Sequence, residues 1–95
     1  MIKIEKSTMN KNNRKTLNLV FKRPVPSDLR WNEIETLLIA LKAEISEGNG
    51  SRVRIALNGI KAVFHRPHPT RETDKGAVIS MRKFLENAGV KYDEI

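Results

Sequence analysis

The dipeptide Asn58-Gly59 separates two segments, Arg52–Leu57 and Ile60–His65, each built largely of aliphatic and β-branched residues alternating with charged ones. Asn-Gly is the favoured pair for a two-residue type I′ turn, in which both central residues need positive φ. So short a loop leaves the strands no freedom of register: 57 faces 60, 55 faces 62 and 53 faces 64. Val53, Ile55 and Leu57 then share one face with Ile60, Ala62 and Phe64. Arg52, Arg54 and Ala56 share the other with Lys61, Val63 and His65, and Arg52 lies directly across from His65. The spacing predicts an antiparallel hairpin with one core face and one basic face that carries a histidine.

The flanking sequence supplies what such a hairpin needs to bury its apolar face. Leu17, Val20 and Phe21 fall at helical spacing, predicting a helix over 13–22 that Arg23-Pro24-Val25-Pro26 ends. Ser27 and Asp28 suit the N-cap of a second helix, over 29–42, whose apolar stripe is Trp31, Ile34, Leu37, Leu38 and Leu41. Ala43–Glu47 reads as a short strand and Gly48-Asn49-Gly50-Ser51 as the turn that joins it to the hairpin. Arg66-Pro67-His68-Pro69 cannot continue a regular strand. A last helix begins near Thr73-Asp74, with Thr73 as cap and Ala77, Val78, Met81, Phe84, Leu85 and Ala88 as its buried stripe; Gly89 stands at its C-terminal cap. The order α–α–β–β–β–α predicts an α+β fold: a three-stranded antiparallel sheet with helices on one face and the other face open. With 95 residues there is room for one domain, placed at 13–95 behind a flexible basic arm over 1–12.

Charge narrows the class of partner. The chain carries a formal +7, distributed unevenly: residues 1–26 hold seven basic residues and one acidic, 27–49 two and five, 50–73 five and one. Two basic blocks around an acidic one suggest a polyanion-facing side. The chain has no cysteine, hence no disulfide framework and no thiolate metal site. Neither a membrane span nor a secretory signal is visible, which points to the cytoplasm. His65 and His68, three apart in a proline-broken stretch without nearby carboxylates, make a poor metal site, and no glycine fingerprint for a nucleotide occurs, so no cofactor is expected. Ser51 lacks the surroundings of an acyl-transfer nucleophile. RNA cleavage fits better. RNA supplies its own 2′-OH nucleophile, so the protein needs only a base, an acid and cations for the phosphorane. The guanidinium of Arg52 beside His65 would favour the neutral, base-competent imidazole. A pure RNA binder is the other reading. Its few aromatics, Phe21, Trp31, Phe64, Phe84 and Tyr92, fall mostly in core or tail, so it would rely on backbone charge and shape. A third reading is an interaction domain for an acidic protein.

Trp31–Ile34–Leu37–Leu38, Gly50-Ser51 opening a strand, the hairpin, Arg66-Pro67-His68-Pro69, and Lys75-Gly76-Ala77-Val78 with Phe84-Leu85-Glu86-Asn87-Ala88-Gly89-Val90 resemble the HicA toxins over about residues 29–91. That resemblance implies a double-stranded-RNA-binding-domain-like fold with an extra N-terminal helix. It also implies a metal-independent mRNA interferase, monomeric when alone and silenced by a HicB-type antitoxin. The family places its catalytic histidine directly after Gly-Ser, where this chain has Arg52. Either His65, the cross-strand neighbour of that position, serves as base, or the chain retains binding of RNA or antitoxin without cleavage. On the first reading His68 is the acid or an orienting group, and Arg52, Arg54, Lys61 and Arg66 bind and stabilise phosphate.

Overall fold

The register forced by the Asn58-Gly59 turn is the register of the folded chain. In the computed structural model, which describes residues 9–90, Arg52 pairs with His65, Val53 with Phe64, Ile55 with Ala62 and Leu57 with Ile60. These strands, β2 (Arg52–Leu57) and β3 (Ile60–His65), are joined by β1 (Glu44–Glu47), which pairs antiparallel with β2 from Glu44 opposite Ala56 to Glu47 opposite Val53. The sheet order is β1-β2-β3. Among the described residues three helices complete the α+β fold: α1 (Lys11–Val20), α2 (Trp31–Ala40) and α3 (Lys75–Asn87).

The predicted stripes are the core. Trp31, Ile34, Leu37, Leu38 and Leu41 meet Val53, Ile55, Leu57 and Phe64 from the sheet and Val78, Met81, Phe84, Leu85 and Ala88 from α3, all buried. Phe64 stands between Trp31 and Phe84, with ring centroids 5.9 and 6.1 Å away, tying the sheet to both helices. The helix α1 packs against α2 and α3 through buried Leu17 and Val20. It begins at Lys11, two residues before the predicted start. Asn10 caps it by accepting from the Asn13 N–H at 2.8 Å, and Met9 is already buried. Residues 9–12 thus belong to the fold rather than to an arm; the rest of the predicted arm, 1–8, and the predicted domain end, 91–95, lie outside the described residues.

Two helix starts differ from prediction. The N-cap of α3 is Asp74, which accepts from the Ala77 N–H at 2.7 Å, while Thr73, predicted as cap, is buried. Neither Ser27 nor Asp28 caps α2; its N-cap position is Arg30, which forms no side-chain cap hydrogen bond. Instead the two segments entering α2 and α3 pair with each other. Trp31 N–H donates to the Arg71 carbonyl (3.1 Å), Thr73 N–H to the Leu29 carbonyl (2.7 Å), and Arg30 bridges Glu72. At α2 the Arg71 carbonyl, forty residues away in sequence, thus takes the first helical N–H, while α3 keeps a local cap in Asp74.

Candidate functional site

Alternation along the strands sets out the open face of the sheet. Arg52, Arg54, Lys61, Val63 and His65 are all exposed, and Ala56 is half-buried. β1 contributes Glu44, opposite Ala56, and Ser46, opposite Arg54. Between the strands these side chains leave a shallow depression of about 530 Å³ lined by Glu44, Ser46, Arg54, Ala56, Lys61 and Val63. Arg54 and Lys61 are therefore cations on the face of the sheet, with Val63, 54% exposed, as an apolar patch between strand ends.

The chemistry-bearing pair lies at one end of that sheet. Arg52 opens β2 and His65 closes β3 as a register pair. The stem of Arg52 runs over Gly48, so closely that a Cβ there would lie 3.1 Å from Arg52 Cγ. The turn between β1 and β2 is closed by Gly48 N–H to the Arg52 carbonyl (2.9 Å) and Arg52 N–H to the Asn49 carbonyl (3.1 Å). Beyond the last strand residues the ladder continues through Arg66 N–H to the Ser51 carbonyl, 2.9 Å. This brings the proline-bounded segment back to the turn, and Gly50, Ser51, Arg66, Pro67 and His68 line a second open depression. His68 is exposed there, preceding a cis bond to Pro69. One end of the sheet thus collects Gly50, Ser51, Arg52, His65 and His68.

Arg66 is placed differently from the expectation that it binds phosphate. Strand alternation turns it to the side that His65 leaves, the helix side. There its Nε and Nη2 donate to Glu35 (2.8 and 3.1 Å), and its Nη1 and Nη2 to Glu47 (2.5 and 2.8 Å). Glu35 also accepts from the Trp31 indole N–H. The hydrogen bond from Arg66 holds the Glu47 carboxyl below the usual carboxylate range, and the two carboxylates, Glu47 foremost, raise the Arg66 guanidinium further above its ordinary value. With two carboxylates around one guanidinium, all three Arg66 nitrogens donate to Glu35 or Glu47 rather than toward the open face. It fastens the His65–Pro69 segment to α2 and β1. The sequence gives a signal for this: the alternation that sends His65 outward sends Arg66 inward, toward a helix bearing Glu35.

Among the described residues no three His, Asp or Glu gather as a metal site, and no helix is long and apolar enough to cross a membrane. The profile of a family described as HicA toxin of bacterial toxin-antitoxin matches residues 31–90, which spans α2, the whole sheet and α3 but not α1. No curated protein and no solved structure matches the chain.

Proposed function

The chain belongs to the HicA toxin family, the toxin side of bacterial toxin–antitoxin systems, and on that footing we propose that it is a metal-independent endoribonuclease that cleaves mRNA and is neutralised by a HicB-type antitoxin. The observation that carries this reading is the register pair Arg52–His65 on an open basic face, beside Gly50, Ser51 and His68. In the reaction His65 takes the proton from a ribose 2′-OH. The 2′ oxygen attacks the adjacent phosphorus, forming a 2′,3′-cyclic phosphate, and the 5′ oxygen departs with a proton. His68 supplies that proton or orients the leaving group. Arg52 stabilises the charge that develops on the phosphorane oxygens. Arg54 and Lys61 hold neighbouring phosphates across the sheet. Arg66 takes no phosphate in this scheme; it acts as a positioning residue through Glu35 and Glu47.

Expression of wild type and His65→Ala in bacteria, with growth and transcript integrity followed, tests the assignment. Growth arrest and cut transcripts are expected for wild type, and at least a hundredfold slower cleavage for the variant, in line with loss of a general base. Cleavage by purified wild type should persist in chelator. Undiminished toxicity of His65→Ala would remove His65 from the mechanism. The Arg52 substitution at the family's histidine position favours one second reading, an RNA- or antitoxin-binding domain without cleavage. Wild type that binds RNA and never cuts it would establish that reading instead.

A further inference from the structure

Helix α1 lies outside the matched family region, and it builds a cleft that the sheet site does not use. Packed on α3, it forms an open cleft of about 670 Å³ lined by Lys15, Asn18, Lys22 and Arg23, with apolar Leu19 and Phe21, on one wall and by Arg82 and Glu86 on the other. Arg82 is the unusual member. Its residue is only 6% exposed, yet among the described residues no carboxylate pairs with it. Its Nε donates to the Val20 carbonyl and its Nη2 to the Lys22 carbonyl, both at 2.9 Å, which caps the C-terminal end of α1. Buried charges are ordinarily paired. Here the compensation is the negative end of one short helix, equivalent to about half a charge. The two hydrogen bonds fix the guanidinium in place, and Nη1 has no partner among the described residues.

The rest of the wall adds to this positive charge. Residues 9–26 contain Lys11, Arg14, Lys15, Lys22 and Arg23 and no acidic residue. All five cations are exposed and none forms an ion pair among the described residues. Against them Glu86 is, among the described residues, the one carboxylate lining the cleft. A fixed, incompletely compensated guanidinium ringed by exposed lysine and arginine heads suits one ligand chemistry above others, a tetrahedral phosphate with several acceptor oxygens.

We infer that the α1–α3 cleft is a phosphate-binding site, built on Arg82 with Lys15, Lys22 and Arg23, that holds a backbone phosphate of RNA away from the end of the sheet where Arg52 and His65 lie. The inference rests on the reading of the chain as an RNA-acting toxin. It gives α1 a task of its own, a second anchor that lengthens the RNA footprint.

The test uses the full chain and a single-stranded oligoribonucleotide with 2′-O-methyl riboses, which can bind but lacks the nucleophile for cleavage. Fluorescence anisotropy is followed over a salt series for wild type, for Lys15→Gln/Lys22→Gln/Arg23→Gln, and for Arg54→Gln/Lys61→Gln. All five substituted residues are exposed, and Arg82 is left intact so that α1 stays docked. Loss of the cations around one phosphate should lower the log–log salt slope by about 0.7 and weaken binding about fivefold near 0.1 M salt. In parallel, inorganic phosphate is titrated against the amide resonances of residues 20–23 and 82, which should shift in wild type and not in the triple variant. Unchanged affinity and slope in the triple variant, with Arg54→Gln/Lys61→Gln weakened, would overturn the cleft site and leave the sheet site standing. No binding by wild type at low salt would overturn the RNA reading itself. Phosphate shifts in the cleft without RNA binding would assign it to a free phosphorylated ligand. A triple variant that keeps RNA affinity but loses antitoxin capture would assign it to an acidic protein segment.

Discussion

Successive side chains of a strand point to opposite faces, so His65 and Arg66 part company although they are neighbours in sequence. His65 faces the open side with Arg52, while Arg66 turns to Glu35 and Glu47 on the helix side. Arg66→Met keeps the stem and removes both ion pairs, leaving Glu35 partly buried without its cation; about 1 kcal/mol of stability should be lost, measured by urea unfolding. Acid should weaken the same link. Because Glu47 is held below its usual pKa in the folded chain, its contribution is complete above the unfolded carboxylate value of about 4.3 and is lost as pH falls through the lower folded value. The drop in urea midpoint between pH 7 and pH 3 should therefore be smaller in Arg66→Met than in wild type; an equal drop would deny the link. Gly48 tests the positioning of Arg52. Gly48→Ala places a Cβ about 3.1 Å from Arg52 Cγ, tight enough to shift that stem slightly, and should reduce cleavage while leaving the unfolding midpoint nearly unchanged.

At the scale of elements, helix ends separate what local sequence specifies from what it does not. Both α2 and α3 close in the same two-bond manner: Lys42 N–H donates to the Ile39 carbonyl and Ala43 N–H to Leu38, as Gly89 N–H does to Glu86 and Val90 N–H to Leu85. Position 89 is a glycine at φ 85°, legible in advance, whereas position 42 is a lysine at φ 70° with a Cβ that this conformation penalises. Lys42→Gly should raise stability by about 0.5–1 kcal/mol, checked by thermal and urea melts. Asn58 does more than turn the hairpin. Its side-chain amide donates to the Ala88 carbonyl at 2.7 Å, satisfying one of the groups left open at the end of α3. Asn58→Gly retains the φ and loses that bond, and should cost about 1 kcal/mol in the same melts. Asn-Gly was legible as a turn; its partner thirty residues away was not.

Across the whole molecule, α1 packs into the same core as the sheet and the other helices. Leu17 and Val20 enter the shared core, and Arg82 of α3 ties down the end of α1. Leu17→Ala should lower stability by about 2–4 kcal/mol. Unfolding followed by the fluorescence of Trp31, in α2, and by far-ultraviolet circular dichroism should remain coincident. Separate transitions would make α1 an independently docked piece. The amino-acid sequence by itself determined the sheet and the identity of its faces, because a two-residue turn and strict alternation fix register without reference to the rest of the chain. It determined the helices too, since their apolar stripes need only a period of 3.6. The tertiary structure decided where charge is left over. It neutralised Arg66 with carboxylates from α2 and β1, replaced the expected caps of α2 by backbone pairing with the approach to α3, and buried Arg82 at the end of α1. Each depends on groups distant in sequence meeting in space. Local pattern specifies which side of an element is wet, and only packing specifies which charges there meet a partner.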